Sequence, residues 1–300
     1  MVSSSVYPPA QLVERVAGIL GARPVAWEPV AGGYTAAGRW VVRGENGRAA
    51  FVKVATNPNT TEWLRAELRI YSQLAAPFLP AVLGWDAAEP PLLVLEDLSR
   101  AFWPPPWSPT RTEAVLATLA QVAATPAPPG LPEMVAAREE LSGWARVAED
   151  TAPFLALGAC STGWLEAALP ALLRAEDGAV LVGETLAHFD VRSDNICFVA
   201  DGKGGERAVL VDWNWACRGN HRLDIAAWLP SLRAEGGPAP ETILSGEPEL
   251  AALVSGYFAS KAGLPGAAAR LRALQLRQLR AALPWAALEL DLPPPDGNCV

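Results

Sequence analysis

LAHFDVRSDNICFVADGKGGERAVLVDW, residues 186–213, decides the reading of this chain. Two short apolar runs, near 196–200 and 208–212, flank a glycine-rich turn that carries Lys203. Apolar runs of this length on either side of glycines predict a β-hairpin. His188, Asp190, Arg192 and Asn195 precede the first strand, and Asp212 ends the second. A hairpin brings the Asn195 and Asp212 ends side by side, with Asp190 close by. Oxygen ligands clustered in this way suit Mg²⁺, a hard ion normally shared with substrate phosphates. A separate carboxylate beside them can receive a hydroxyl proton.

Composition sets wide bounds. The 300 residues are 51% apolar, enough for one large domain or two lobes with an ample core. A net charge of −8 argues against nonspecific nucleic-acid binding and is permissive for a cationic substrate. Cys160, Cys197, Cys217 and Cys299 are scattered without a C-x-x-C pair, so no structural zinc site is expected. No leader pattern is evident at the N-terminus, and no apolar run reaches the ~18 residues of a membrane span. The expected partner list therefore omits membranes, and the expected compartment is the cytosol, with reduced thiols.

Taken in order, the chain predicts a helix over 10–21 and strands near 25–31, 38–43 and 48–55. Asn46-Gly47 turns the second hairpin. The Gly32-Gly33-Tyr34-Thr35 turn is either a plain hairpin or a loop whose backbone can approach phosphates. Lys53 lies inside an apolar strand, and a helix starting near Asn59 follows, with Asn59-Thr-Thr-Glu62 as its capping box. Trp63, Ile70 and Leu74 form an inward stripe on that helix, and Glu67 falls on it. A carboxylate on an apolar face wants a cation.

Strands near 81–87 and 91–96 come next. The Pro-Trp-rich segment 99–111 then marks a lobe boundary, dividing 1–98 from 99–300. Its Trp103 and Trp107 either line a substrate entrance or staple the loop down. Helices are predicted over 110–124, 131–149, 162–176, 223–234, 248–262 and 267–285, with a loose tail from 291. Asp224 stands at an N-cap position, and Leu276, Leu279 and Leu283 form an inward stripe on the last helix.

The pattern His188-x-Asp190-x-x-x-x-Asn195, then Val211-Asp212-Trp213 and Asp224-Ile-Ala226, resembles the catalytic and metal loops of the protein-kinase-like superfamily. The closer resemblance, running from about 27 to 235, is to its aminoglycoside phosphotransferase branch. It implies an α+β, bilobal protein-kinase-like fold. A small antiparallel-sheet N-lobe, 1–98, would bind the nucleotide, and a larger, mainly helical C-lobe, 99–300, would carry catalysis and the substrate. The implied activity is ATP-dependent O-phosphotransfer to a hydroxyl of a small molecule. That molecule is either an aminoglycoside-like antibiotic or a metabolite such as choline, homoserine or a sugar. A non-catalytic nucleotide-binding protein is the third reading.

The resemblance also implies residue roles. Gly33 and Thr35 fit the family's shortened phosphate-covering loop. Lys53 would hold nucleotide phosphates and pair with Glu67, while backbone groups of Glu96 and Leu98 would meet the purine edge. Asp190 would accept the substrate proton, His188 would prop the loop, and Asn195 and Asp212 would hold Mg²⁺. Arg192 either contacts the moving phosphoryl group or faces solvent. Asp224 would brace the catalytic loop. Phe189 departs from the pattern, since many relatives have glycine there. Only eleven positions separate Asp212 from Leu223, too few for the activation segment of a protein kinase.

Overall fold

The computed structural model describes residues 8–30, 36–264 and 269–297. The chain is α+β and divides into two compact units. One comprises residues 1–103 and 194–216, the other 104–193 and 217–300. The 194–216 hairpin thus groups with the N-terminal segment, whereas the sequence reading assigned all of 99–300 to one lobe.

The first unit is built on a five-stranded antiparallel sheet of order β1-β2-β3-β5-β4. Its strands are β1 (Pro24–Pro29), β2 (Gly38–Gly44), β3 (Ala49–Val54), β4 (Val82–Asp86) and β5 (Leu92–Glu96). Helix α1 (Ala10–Leu20) buries Leu12, Val16 and Leu20, four apart on one stripe, against Val42, Ala50, Val52, Val54, Leu92 and Val94. Gly21, at φ 63°, ends that helix in the left-handed region where glycine is favoured. Helix α2 (Pro58–Gln73) follows β3. Its cap is Asn57, reciprocated by Thr60, and not the expected Asn59 and Glu62. Pro58 takes the first helical position, where its missing N–H costs nothing, and so moves the start two residues upstream. The inward stripe shifts with it to Leu64, Glu67, Ile70 and Tyr71. Strands β7 (Ile196–Ala200) and β8 (Glu206–Leu210) form the expected hairpin.

The second unit is mainly helical. Helix α9 (Pro248–Gly263) is buried on nearly every side, with Leu250 to Gly256, Phe258, Ala259 and Ala262 all enclosed. Around it stand α5 (Gly143–Glu149), α7 (Thr162–Gly178), α8 (Arg222–Ala234) and α10 (Ala269–Glu289). Helix α3 (Pro109–Ala124) lies beside a two-stranded sheet of β6 (Thr185–Ala187) and β9 (Cys217–Gly219).

The single helix expected over 131–149 is instead a 3₁₀ turn, α4 (Arg138–Leu141) and α5, with α6 (Ala152–Leu155) beyond. A Cβ on Gly143 would stand 1.8 Å from the Gly256 carbonyl oxygen, so α5 docks backbone to backbone on α9. Glu176 accepts from the N–H groups of Trp144 and Ala145 at 2.8 and 3.0 Å and begins α5 afresh. On α10, Gln275 and Gln278 are buried and Leu276 only partly, because Gln278 bonds Ser231 of α8 at 2.7 Å. The tail expected to be loose is held as far as it is described. Asp296 accepts from Ser161 Oγ and N, both at 2.6 Å. No helix of the described residues is long and apolar enough to cross a membrane.

Candidate active site

Strand alternation on β3 turns Ala50, Val52 and Val54 under α1 and Lys53 to the opposite face. There Lys53 Nζ meets Glu67 Oε2 of α2 at 2.6 Å and Asp212 Oδ1 at 2.6 Å. Glu67 is 1% exposed, so its charge depends on this partner. Burial opposes the charge on Lys53, but the Glu67 and Asp212 carboxylates outweigh it and hold the amine above its usual range. Tyr71, one turn beyond Glu67, donates to Glu67 Oε1 at 3.2 Å. Burial and then the Glu67 charge push its phenol well up, which keeps it a donor.

Asp212 does not end β8, as the sequence suggested. The strand stops at Leu210, and Asp212 sits two residues on in the left-handed region, φ 67° and ψ 56°, heading the short turn Trp213–Trp215. Aspartate tolerates this conformation better than most residues. Trp213 anchors the turn from beneath, donating to the Leu210 carbonyl at 2.8 Å and lying 5.6 Å from the Phe78 ring. Val211 N–H bonds the Asn195 carbonyl at 3.0 Å, one pair beyond Ile196 and Leu210. Asn195 and Asp212 therefore occupy the same open end of the hairpin. Among the described residues no group of three or more His, Cys, Asp or Glu could hold a metal. One carboxylate and one amide oxygen are the sparse donor set that Mg²⁺ accepts when phosphates complete its shell.

Glu96 and Leu98 follow from β5. The Glu96 N–H bonds the Ala81 carbonyl at 2.9 Å, and Glu96 Oε1 returns the contact to Ala81 N at 2.7 Å. The Leu98 carbonyl accepts from Ala101 N and from Trp103 Nε1, both at 3.0 Å. The Leu98 amide is left uncommitted among the described residues. Gly33 and Thr35 lie outside the described residues.

The second unit carries the other predicted residues. His188 is fully buried, and its Nδ1 accepts from Asp190 N at 3.3 Å. Asp224 accepts from the N–H groups of His188 and Phe189, both at 2.7 Å. It lies within the first turn of α8 and does not cap it, so the bracing contact replaces the expected N-cap. Burial pushes its carboxyl up to about 6, against the pull of the two N–H groups. Phe189 has φ 65°, which explains why glycine suits this position. Arg192 points back at Asp190, with Nε 3.7 Å from Oδ1.

Sequence reasoning missed a link behind this loop. Glu235, at the end of α8, accepts from Ser193 Oγ at 2.6 Å and from Trp107 Nε1 at 2.8 Å. Trp107 also lies edge-on to Trp228, at 5.5 Å. Trp107 is thus a staple, as is Trp103 through its bond to Leu98. No motif surrounds Glu235. The one signal was the pair of tryptophans in a proline-rich segment.

The model of the phosphotransferase enzyme family matches residues 26–241. A search of curated proteins returned no match. Among solved structures, a candidate fructosamine-3-kinase from Thermobifida fusca is 21% identical, with a TM-score of 0.56, covering 92% of this chain and 99% of its own. An aminoglycoside phosphotransferase from Alicyclobacillus acidocaldarius is 14% identical, with a TM-score of 0.57 and 96% of both chains covered. A spectinomycin phosphotransferase in complex with ADP and spectinomycin is 11% identical, with a TM-score of 0.55, covering 91% and 94%. Identities this low speak for the fold alone. The family match spans more than half of the sequence, and this chain belongs to the phosphotransferase enzyme family, whose members are small-molecule kinases.

Proposed function

We propose that this protein moves the γ-phosphoryl group of ATP onto a hydroxyl of a small molecule. The observation that carries the reading is the Lys53 ammonium held between Glu67 and Asp212 at 2.6 Å each. Nothing in simple packing asks for a buried lysine shared by two carboxylates, whereas phosphate binding needs a fixed cation. Lys53 holds the nucleotide phosphates, with Glu67 orienting it. The Glu96 carbonyl and Leu98 amide meet the purine. Mg²⁺, when bound by Asp212 and Asn195, neutralises charge on the phosphate oxygens.

Asp190, its backbone fixed by His188, takes the proton from the acceptor hydroxyl. The acceptor oxygen bonds to the γ-phosphorus, the bond to the β,γ-bridging oxygen breaks, and ADP leaves with that electron pair. Arg192 contacts the phosphoryl oxygens in transit. Phosphoryl transfer has little covalent chemistry for a protein to assist, so these placements are its contribution. The acceptor is either an antibiotic of the aminoglycoside kind or a hydroxylated metabolite. The non-catalytic alternative predicts tight ATP·Mg²⁺ binding with transfer to no acceptor. Asp190→Ala is expected to lower phosphate transfer by roughly a thousandfold or more while nucleotide affinity changes little. Unchanged turnover in that variant overturns the assignment.

A further inference from the structure

Asp212 opens the stretch Asp212-Trp213-Asn214-Trp215. Trp213 anchors this turn, and the two residues after it act on Asp212 itself. The Asn214 NH₂ group donates to the Asp212 backbone carbonyl oxygen and to Asp212 Oδ1, both at 3.0 Å. On its other side, Asn214 Oδ1 accepts from Trp215 Nε1 at 3.1 Å. The partners decide which end of the amide faces which. Turned the other way, the amide oxygen would face two oxygens with no proton between them. The NH₂ group would then face the indole N–H, which can only donate.

The result is a clamp between the side chain and the backbone of one residue. A single NH₂ group holds the carbonyl oxygen and a carboxylate oxygen of Asp212 together, which restricts rotation about Cα–Cβ and Cβ–Cγ. Asp212 needs such a hold, because φ 67° and ψ 56° place its backbone in the sparsely used left-handed region. Lys53 Nζ also donates to Oδ1, at 2.6 Å, but that ammonium is shared with Glu67 and is the cation on which nucleotide phosphates draw. The Asn214 clamp does not pass through Lys53, so it persists when the ammonium turns toward phosphate. Its bond to Oδ1 has a charged acceptor, the stronger kind.

Trp215 sets the amide in turn. Its side chain is 46% exposed, so burial accounts for only part of what tryptophan does at this position, and the indole N–H supplies the rest. Its ring lies 6.4 Å from that of Trp63, tilted by 44°. The clamp thus rests against α2, the helix that supplies Glu67.

We infer that Asn214 is a positioning residue that holds the Asp212 carboxylate in the orientation that receives Mg²⁺, and that Trp215 fixes the Asn214 amide. This rests on the phosphotransfer reading above, in which Asp212 is a metal ligand.

The test compares two variants. Asn214→Leu keeps the size of the side chain without its donor, and Trp215→Phe keeps a ring against Trp63 without the N–H. In the metal-free protein, the Trp215 indole N–H resonance, identified by its loss in Trp215→Phe, should move upfield in Asn214→Leu. Calorimetric titration of Mg²⁺ into the ADP complex should show metal binding about tenfold weaker in Asn214→Leu and about threefold weaker in Trp215→Phe, with ADP affinity in the absence of metal unchanged. The double variant should bind Mg²⁺ no more weakly than Asn214→Leu alone, because the two side chains act in series. An unmoved indole resonance, wild-type metal affinity in both single variants, or losses that add in the double variant would overturn this inference and leave the phosphotransfer reading standing. A wild-type protein that binds neither ADP nor Mg²⁺ overturns both.

Discussion

Asp224 shows how a single residue's burial shapes the behaviour of the loop it supports. Its two oxygens serve two N–H groups, those of His188 and Phe189, and they do so while Phe189 holds a left-handed φ of 65°. A β-carbon in that conformation costs roughly 1–2 kcal/mol, so the loop needs such a brace to persist. The carboxyl is raised to about 6, above the ordinary ~3.9. A raised folded-state pKa favours the folded chain below pH ~4, and that advantage is lost as pH rises through about 6. Acid therefore does not unfold the protein through this group. It acts locally, because a protonated carboxyl has one good acceptor where the carboxylate has two.

Acceptor-independent ATP turnover is accordingly expected to fall as pH drops through about 6, with the circular dichroism spectrum retained. Asp224→Asn, which cannot titrate, should be slower by about tenfold and should lack this inflection. An inflection that survives in the Asn variant would place it on another group. The sequence contained the His188, Asp190 and Asn195 spacing in full, because one loop carries it. The bracing by Asp224 was implied only by the family resemblance, since a helix N-cap and a first-turn brace look alike in one dimension.

Among the elements, α8 links parts of the helical unit that are far apart in sequence. Its first turn supplies Asp224 and its end supplies Glu235, which joins Ser193 to Trp107. Ser193 and Trp107 both lie close to points where the chain passes from one unit to the other, at 193/194 and 103/104. Glu235→Ala is expected to raise amide hydrogen exchange over 188–195 and 104–108, with little change in α9, and to lower kcat more than it raises KM for ATP. Uniform exchange across the helical unit would show a general loss of stability and no specific positioning role. The same scale explains the helix that was not continuous. The 131–149 stretch is rich in helix formers on either side of Ser142-Gly143, but Gly143 fits against Gly256 only if the chain restarts there, and Glu176 supplies the cap.

For the molecule as a whole, the first unit is discontinuous in sequence. Its sheet needs the 194–216 segment, since Trp213 lies against Phe78, Phe102 pairs with Phe198, and Asp212 completes the environment of Lys53. A fragment ending at Trp103 would leave Lys53 with one partner fewer and Phe78 and Phe102 without their ring partners Trp213 and Phe198. It is expected to bind 1-anilinonaphthalene-8-sulfonate and to lack a cooperative thermal transition, and adding a 194–216 peptide should partly restore one. A sharp transition for the fragment alone would refute the dependence.

The sequence by itself determined the strands, most helices, the hairpin and the motif residues, because each rests on contacts within a few positions: alternation, helical periodicity and turn chemistry. Glu67 was legible as needing a cation because a carboxylate on an apolar stripe demands one, and the family resemblance supplied Lys53 as that cation. Only the tertiary structure decided that Asp212, 159 positions from Lys53, shares that cation, and that Glu235 joins two distant loops. Such pairings depend on which surfaces meet after the core forms, and no local pattern in the chain encodes a meeting at that distance.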